Sequence, residues 1–211
     1  NQLKLISTVH IPHFPEAKHP LIQSLFHHSD HELVIFFQAN LDSGKYFTAL
    51  FCRYSPIIYT VIQHSVRSPV QADYLFALTW KHIYYELGGV NLESQIDGKC
   101  INLQNWLINM TAYCINAMEV PPTEQINYSL KSTSPPLWCY VEKALEQLPA
   151  MLRLIVLMAQ TFHWSETRIA AYLQAEGEAI APNEIAIFLQ EGYRMLEDKL
   201  PSDIRSIYLG G

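Results

Sequence analysis

The stretch from residue 144 to residue 200 constrains the fold most, because its apolar residues recur at the spacing of an amphipathic helix. Pro149 can open one of its helices at the first helical position. The run 151–158 is apolar except for Arg153, which is typical of a central and largely buried helix. The stretch therefore predicts several short helices that pack on one another.

Capping residues divide the end of this stretch into two helices. Ser165 can cap the first of them, although Arg168 takes the position where a capping box has Glu or Gln, so the box is half present. Gly177 ends this helix and Pro182 begins a longer one. The apolar positions of the two helices are Ile169, Ala170, Leu173, Ile185, Leu189 and Leu196.

Four helices are predicted in the first half of the chain. Ser29 and Glu32 form a capping box for a helix that begins at Asp30. A long helix follows, and Pro56 inside it should cause a kink or begin a new turn. Two more helices are expected over 70–87 and 102–118.

The sequence predicts an all-α fold of two helical domains. Prolines mark an irregular N-terminal arm and a polar linker. The second domain should contain four helices, of which the last two form a helix-turn-helix. The predicted divisions are an arm over 1–28, a first domain over 29–118, a linker over 119–136 and a second domain over 137–211.

Composition narrows the functional classes. The net charge of −6 is the opposite of the basic balance that favours nucleic acid. Four scattered cysteines with no CxxC pair are typical of reduced thiols in a cytoplasmic protein. No apolar run is long enough for a membrane span. Six histidines before residue 32 could suggest a metal site, but their spacing favours surface polar groups, and no metal or cofactor is expected.

Two series of positions carry a resemblance to a known family. The first series is Asp30, Glu32, Leu33, Phe47, Leu50, Phe51, Arg53, Tyr54 and Tyr59. The second is Leu148, Pro149, Arg153, Leu157, Ser165, Ile169, Ala170, Leu173, Ile185, Leu189 and Leu196. In this order they resemble regions two and four of the sigma-70 family, most closely the small two-domain, extracytoplasmic-function-like sigma factors of bacterial RNA polymerase. An unrelated small helical bundle is the alternative.

The resemblance implies a non-enzymatic transcription initiation protein that binds RNA polymerase core and promoter DNA. The positions that correspond to the polymerase-docking helix are Asp73, Tyr74, Ala77, Lys81 and His82. The positions that correspond to promoter-reading surfaces are Trp106, Tyr113, Asn183, Gln190 and Arg194. For Trp106 a core position is the stronger interpretation.

The chain departs from the family in its charge. No Lys or Arg lies between Lys99 and Lys131, and residues 137–211 contain six basic and ten acidic side chains. An acidic surface loses most of the affinity that phosphate contacts provide. Ile187 and Phe188 would instead form an apolar patch for a protein partner or regulator. A sigma-like interaction protein that has lost DNA reading is therefore the second hypothesis.

Overall fold

The computed structural model describes residues 10–96 and 98–210, and within these ranges the fold is all-α. The helices are α1 (Pro20–Gln23), α2 (Asp30–Ala39), α3 (Lys45–Ser65), α4 (Pro69–Leu87), α5 (Leu103–Ala117), α6 (Pro135–Glu146), α7 (Ala150–Gln160), α8 (Glu166–Ala175), α9 (Pro182–Lys199) and α10 (Ser202–Leu209). Between α4 and α5, β1 (Gln95–Ile96) pairs with β2 (Lys99–Cys100) in an antiparallel hairpin. None of the described helices combines the length and apolarity of a membrane span.

Local capping signals determine where several helices begin. The Glu32 N–H donates to Ser29 Oγ at 3.2 Å, and the Ser29 N–H donates to Glu32 Oε2 at 2.7 Å, which confirms the predicted capping box of α2. The Arg168 N–H donates to Ser165 Oγ at 3.2 Å, so the predicted cap of α8 is also confirmed. The predicted start of α9 at Pro182 is correct.

The larger core contains a group of buried aromatic rings contributed by α3 and α4. Trp80 is fully buried, and its ring centroid lies 5.9 Å from that of Phe47 and 5.1 Å from that of Phe51. Helix α4 packs against α3, α5 and α6 and is therefore central to this core. Burial of these large rings, together with the aliphatic side chains around them, stabilises this part of the molecule.

The second half of the chain does not form one separate packing unit, in contrast to the prediction for residues 137–211. Tyr140 and Ala144 of α6 and Ile204 of α10 are buried in the larger core. A second, smaller core lies between α7, α8 and α9 and includes Ile155 and Ile185. The division between the cores therefore falls after α6 and not within the predicted linker, because the apolar face of α6 is buried against α4.

The N-terminal arm is more regular than its prolines suggest. Residues 1–9 of the predicted arm lie outside the described residues. The rest contains a 3₁₀ helix over Pro15–Lys18 and the short helix α1. Phe14 packs edge-on against Phe51 with the centroids 4.9 Å apart, and Ile22 is fully buried. The arm is thus part of the larger core.

Helix α10, which the sequence analysis did not predict, binds to the start of α3. Asp203 Oδ2 accepts hydrogen bonds from the N–H groups of Gly44 at 2.9 Å and Lys45 at 3.0 Å. The Ser43 hydroxyl donates to the same oxygen at 2.6 Å. A carboxylate at this position satisfies free N–H groups at the helix start and complements the helix dipole. Asp203 therefore caps a helix that lies far from it in the sequence.

The close approach of Ile204 to Gly44 gives a test of this contact. A Cβ placed on Gly44 would lie 2.2 Å from Ile204 Cδ1, whereas a Cβ on Gly89 would meet nothing nearer than 3.8 Å. We expect Gly44→Ala to lower the free energy of unfolding by about 1–3 kcal/mol through overpacking. Gly89→Ala should change it by less than about 1 kcal/mol. Urea unfolding followed by circular dichroism measures both, and equal midpoints for the two variants would contradict the α10 contact.

Candidate functional site

The face of α4 that was predicted to dock RNA polymerase is covered by the chain itself. The ring centroid of Tyr74 lies 6.3 Å from that of Tyr128 and 6.5 Å from that of Trp138. Lys81 Nζ forms an ion pair with Glu142 Oε1 at 2.7 Å and lies 5.4 Å from the centroid of the Trp138 ring. Because Glu142 and Trp138 belong to α6, this face is an internal contact between α4 and α6.

Two further docking candidates on α4 are directed into the molecule. Ala77 is fully buried, so its prediction as a surface contact is wrong, because the packing of α4 in the larger core leaves this side chain no access to a partner. Asp73 Oδ1 accepts a hydrogen bond from the Tyr59 hydroxyl at 2.8 Å. Burial raises the pKa of Asp73, while the Tyr59 hydrogen bond and the nearby charge of Lys131 act in the opposite direction.

The half-buried His82 and the exposed Tyr113 form an aromatic pair between α4 and α5. Tyr113 is 55% exposed, and its ring stacks on that of His82 with the centroids 5.2 Å apart. The structure thus brings together one predicted polymerase contact and one predicted DNA contact. Trp106 on α5 is partly buried against the larger core, which agrees with the core interpretation of this residue.

Helices α8 and α9 pack together on α7 as a three-helix unit, called here the α7–α9 unit. The connection between them spans residues 176–181. Gly177 has a φ of +94°, which only glycine adopts easily, and the Glu178 N–H donates to the Leu173 carbonyl at 2.9 Å. Ile180 is buried in the second core and anchors the end of this connection. The arrangement places the N-terminal half of α9 after a long, acidic turn.

The cation that α9 was expected to offer to DNA is already paired. Arg194 Nη2 lies 2.6 Å from Glu191 Oε1, and Arg194 Nη1 lies 2.8 Å from Asp198 Oδ2. The hydrogen bond from Arg194 lowers the pKa of Glu191, so this carboxylate stays ionised beside the guanidinium. Asn183 and Gln190, the other DNA candidates on α9, are exposed. Of the three DNA candidates on α9, Asn183 and Gln190 have side-chain amides that are exposed, whereas Arg194 is paired with carboxylates.

The apolar patch predicted on α9 is only half present. Ile187 is 64% exposed, which agrees with the prediction. Phe188 is partly buried and packs against the second core, so its prediction as an exposed patch residue is corrected. The neighbouring positions differ because they lie about 100° apart around the helix, which places Phe188 nearer the core.

A cluster of aromatic side chains at the start of α8 was missed by the sequence analysis. The aromatic patch consists of Phe162, Trp164 and Tyr172; the Trp164 centroid lies 5.7 Å from each of the other two. Phe162 is 59% exposed and Tyr172 is 42% exposed. The guanidinium of Arg168 lies 4.3 Å from the Trp164 centroid, within the range of a cation–π interaction. The sequence signal that could have revealed this patch is the pair of aromatic residues on either side of His163, in the turn before α8.

The comparisons with known proteins identify no relative. No protein-family model, curated protein or solved structure matches the chain. The arguments on function therefore start from the geometry of the chain's own residues.

The raised pKa of Asp73 predicts a pH-dependent effect of neutralising it. A carboxyl whose pKa is higher in the folded state stabilises the fold at low pH, and this contribution is lost as pH rises through the folded pKa. We therefore expect Asp73→Asn to be more stable than the wild type at neutral pH, with the difference shrinking as pH falls through the raised folded pKa toward the ordinary value of 3.8. Asparagine can still accept the Tyr59 hydrogen bond.

Thermal unfolding between acidic and neutral pH measures this difference. Asp42→Asn removes the same charge from an exposed position and serves as the control. A stability difference for Asp73→Asn that does not vary with pH, or that matches Asp42→Asn, would contradict the assignment.

Proposed function

We propose that the protein is a sigma-like interaction protein that binds a protein partner through its α7–α9 unit and does not read promoter DNA by itself. The pairing of Arg194 with Glu191 and Asp198 carries this proposal. A helix that reads the major groove presents free cationic and polar side chains to bases and phosphates. A phosphate or base bound by Arg194 would have to displace Glu191 and Asp198; each exposed ion pair is weak, but both carboxylates would remain beside the DNA and oppose its binding.

The charge of α8, α9 and their connection supports the same conclusion. Residues 166–199 contain seven acidic and three basic side chains. Phosphate contacts provide most of the sequence-independent affinity for DNA, and carboxylates oppose them. This surface is therefore better suited to a partner with basic residues than to a nucleic acid.

The aromatic patch supplies what a protein interface requires. Tryptophan, tyrosine and arginine are the residues that most often dominate binding energy at protein interfaces, and the patch contains Trp164, Tyr172 and Arg168 close together. Ile187 adds an exposed aliphatic side chain on α9. The partner that fits this surface has an apolar pocket with a basic rim.

RNA polymerase core is the first partner to test. Because α6 covers the docking face of α4, polymerase would bind through the α7–α9 unit. This proposal includes a cytoplasmic location and no catalytic activity. A protein regulator would use the same aromatic patch.

A promoter-reading sigma factor is the second candidate. The packing of α8 and α9 over a shared core favours it, since two packed helices joined by a turn are the minimum requirement for a helix-turn-helix. This candidate requires α6 to leave α4, which would break the ion pair between Lys81 and Glu142. The two candidates differ in whether the free protein binds DNA.

Binding to purified bacterial core polymerase tests the partner surface. We expect Phe162→Ser to weaken binding at least about tenfold, because truncation of a central aromatic contact typically costs 2 kcal/mol or more. Phe26→Ser is the matched control, since Phe26 is 47% exposed and lies outside the patch. Fluorescence anisotropy of the labelled protein gives both dissociation constants. Failure of the wild type to bind would exclude polymerase as the partner. Equal weakening of polymerase binding by both variants would exclude the aromatic patch as the binding surface.

Titration with duplex DNA separates the two candidates. At physiological salt we expect the free protein to bind random and genomic duplexes no more tightly than micromolar, as in non-specific complexes. The expectation follows from the net acidic charge and the paired Arg194. Sub-micromolar binding to one sequence that Arg194→Ala abolishes would overturn the proposal in favour of a promoter-reading sigma factor.

A further inference from the structure

A cavity of about 490 Å³ lies between the N-terminal arm, α3, α4, the segment before α6 and α10. This volume is within the range of roughly 300–1,000 Å³ that is typical of small-molecule sites. Its apolar walls are formed by Pro12, Phe14, Pro15, Leu130 and Leu137. The cavity lies outside the aromatic patch, and Asp73 of α4 and Leu137 of α6 are both among its lining residues.

Glu16 lines the cavity from the arm and has an incomplete set of hydrogen bonds. The side chain is almost completely buried, with 3% exposure. Its Oε1 accepts hydrogen bonds from the Ser134 hydroxyl and, at 2.9 Å, from the Tyr208 hydroxyl. Its Oε2 is buried and accepts no hydrogen bond from any described residue. A buried carboxylate oxygen without a donor is costly, so the site lacks one donor.

A second carboxylate makes the cavity rich in acceptors. Asp73 lines it from α4 and accepts a hydrogen bond from Tyr59, just as Glu16 accepts one from Tyr208. Both tyrosine hydroxyl hydrogens are therefore used within the protein. A ligand that complements these groups must bring its own donors and a positive charge. We infer that the cavity binds a small organic cation, a protonated amine attached to an apolar or aromatic body.

The basic residues of the cavity stand at its solvent-exposed side. Lys131, His10 and His13 are all exposed, whereas Glu16 is buried. Water and salt screen an exposed charge much more than a buried one. The buried part of the lining therefore carries carboxylate oxygens, whereas the exposed Lys131, whose charge also acts on Asp73, opposes cation binding.

The arm is the wall of the cavity that can open to admit a ligand. Residues 10–13 belong to no helix, and their backbone N–H groups donate no hydrogen bond to another described residue. Segments with few backbone hydrogen bonds open locally at low free-energy cost. Because this segment lines the same cavity as Glu16, its displacement would widen the cavity while the helices stay in place.

Three indoles of similar size and different charge test the inference on the full 211-residue chain. The probes are tryptamine, which is cationic, tryptophol, which is neutral, and indole-3-propionate, which is anionic. By isothermal titration calorimetry we expect saturable tryptamine binding with a Kd below about 1 mM. Tryptamine should bind at least about tenfold more tightly than tryptophol, because both can donate a hydrogen bond to a carboxylate but only the ammonium group of tryptamine carries a positive charge. Equal affinities, or tighter binding of indole-3-propionate, would overturn the inference.

Paired variants locate the binding site and the sign of its charge. Glu16→Gln should weaken tryptamine binding at least about tenfold and tryptophol binding much less, because only tryptamine loses an ion pair. Glu176→Gln makes the same substitution at an exposed position outside the cavity and should leave both unchanged. Lys131→Met should strengthen tryptamine binding and weaken that of indole-3-propionate.

Lys131→Met keeps the test decisive if Glu16→Gln does not fold, because Lys131 is exposed and its replacement leaves the buried carboxylate intact. A folded Glu16→Gln variant with unchanged tryptamine affinity would overturn the site. So would a Lys131→Met variant that binds tryptamine no more tightly than the wild type.

Discussion

The cap that Asp203 places on α3 joins α10 to the start of the first long helix. Its carboxylate accepts hydrogen bonds from the N–H groups of Gly44 and Lys45. These groups lie at the start of the helix, where an N–H group has no acceptor within the helix itself. Ile204 packs where Gly44 has no side chain. Since α10 follows α9 after only Leu200 and Pro201, this contact also limits where α9 and the second core can lie. Helix α10 therefore packs in the larger core, although the predicted second domain over 137–211 includes it.

The features that sequence reasoning predicted correctly depend on residues close together in the chain. The capping box of Ser29 and Glu32 and the start of α9 at Pro182 are determined by residues within one helical turn. The position of α6 is decided by residues much farther away, such as Lys81, which lies 61 residues from its partner Glu142. Periodicity shows that α6 has an apolar face, but it does not show which helix that face contacts. For the same reason, the sequence pattern did not indicate that Asp203 contacts the start of α3.

Candidate site residues were harder to predict, because their function depends on exposure. The sequence placed Asp73 and Ala77 on a docking face, yet exposure is set by α6 and by the hydrogen bond from Tyr59. The pairing of Arg194 was accessible from sequence, since Glu191 and Asp198 stand three and four residues away on the same helix. The exposure of Phe162 could not be predicted from the sequence, because an aromatic residue in a turn is buried or exposed depending on which other segments pack against it.

The buried carboxylate of Glu16 has a consequence for synthesis on the ribosome. Its two hydrogen-bond donors, Ser134 and Tyr208, lie 118 and 192 residues farther along the chain. When α1 to α5 have emerged, the nascent chain still lacks α6 and α10, and the apolar faces that they will cover remain in water. Contacts of such high sequence separation are slow to form, and domains usually fold as they emerge. Here the amino-terminal bundle is completed only after α10 has been translated, so it cannot finish folding while only α1 to α5 have emerged.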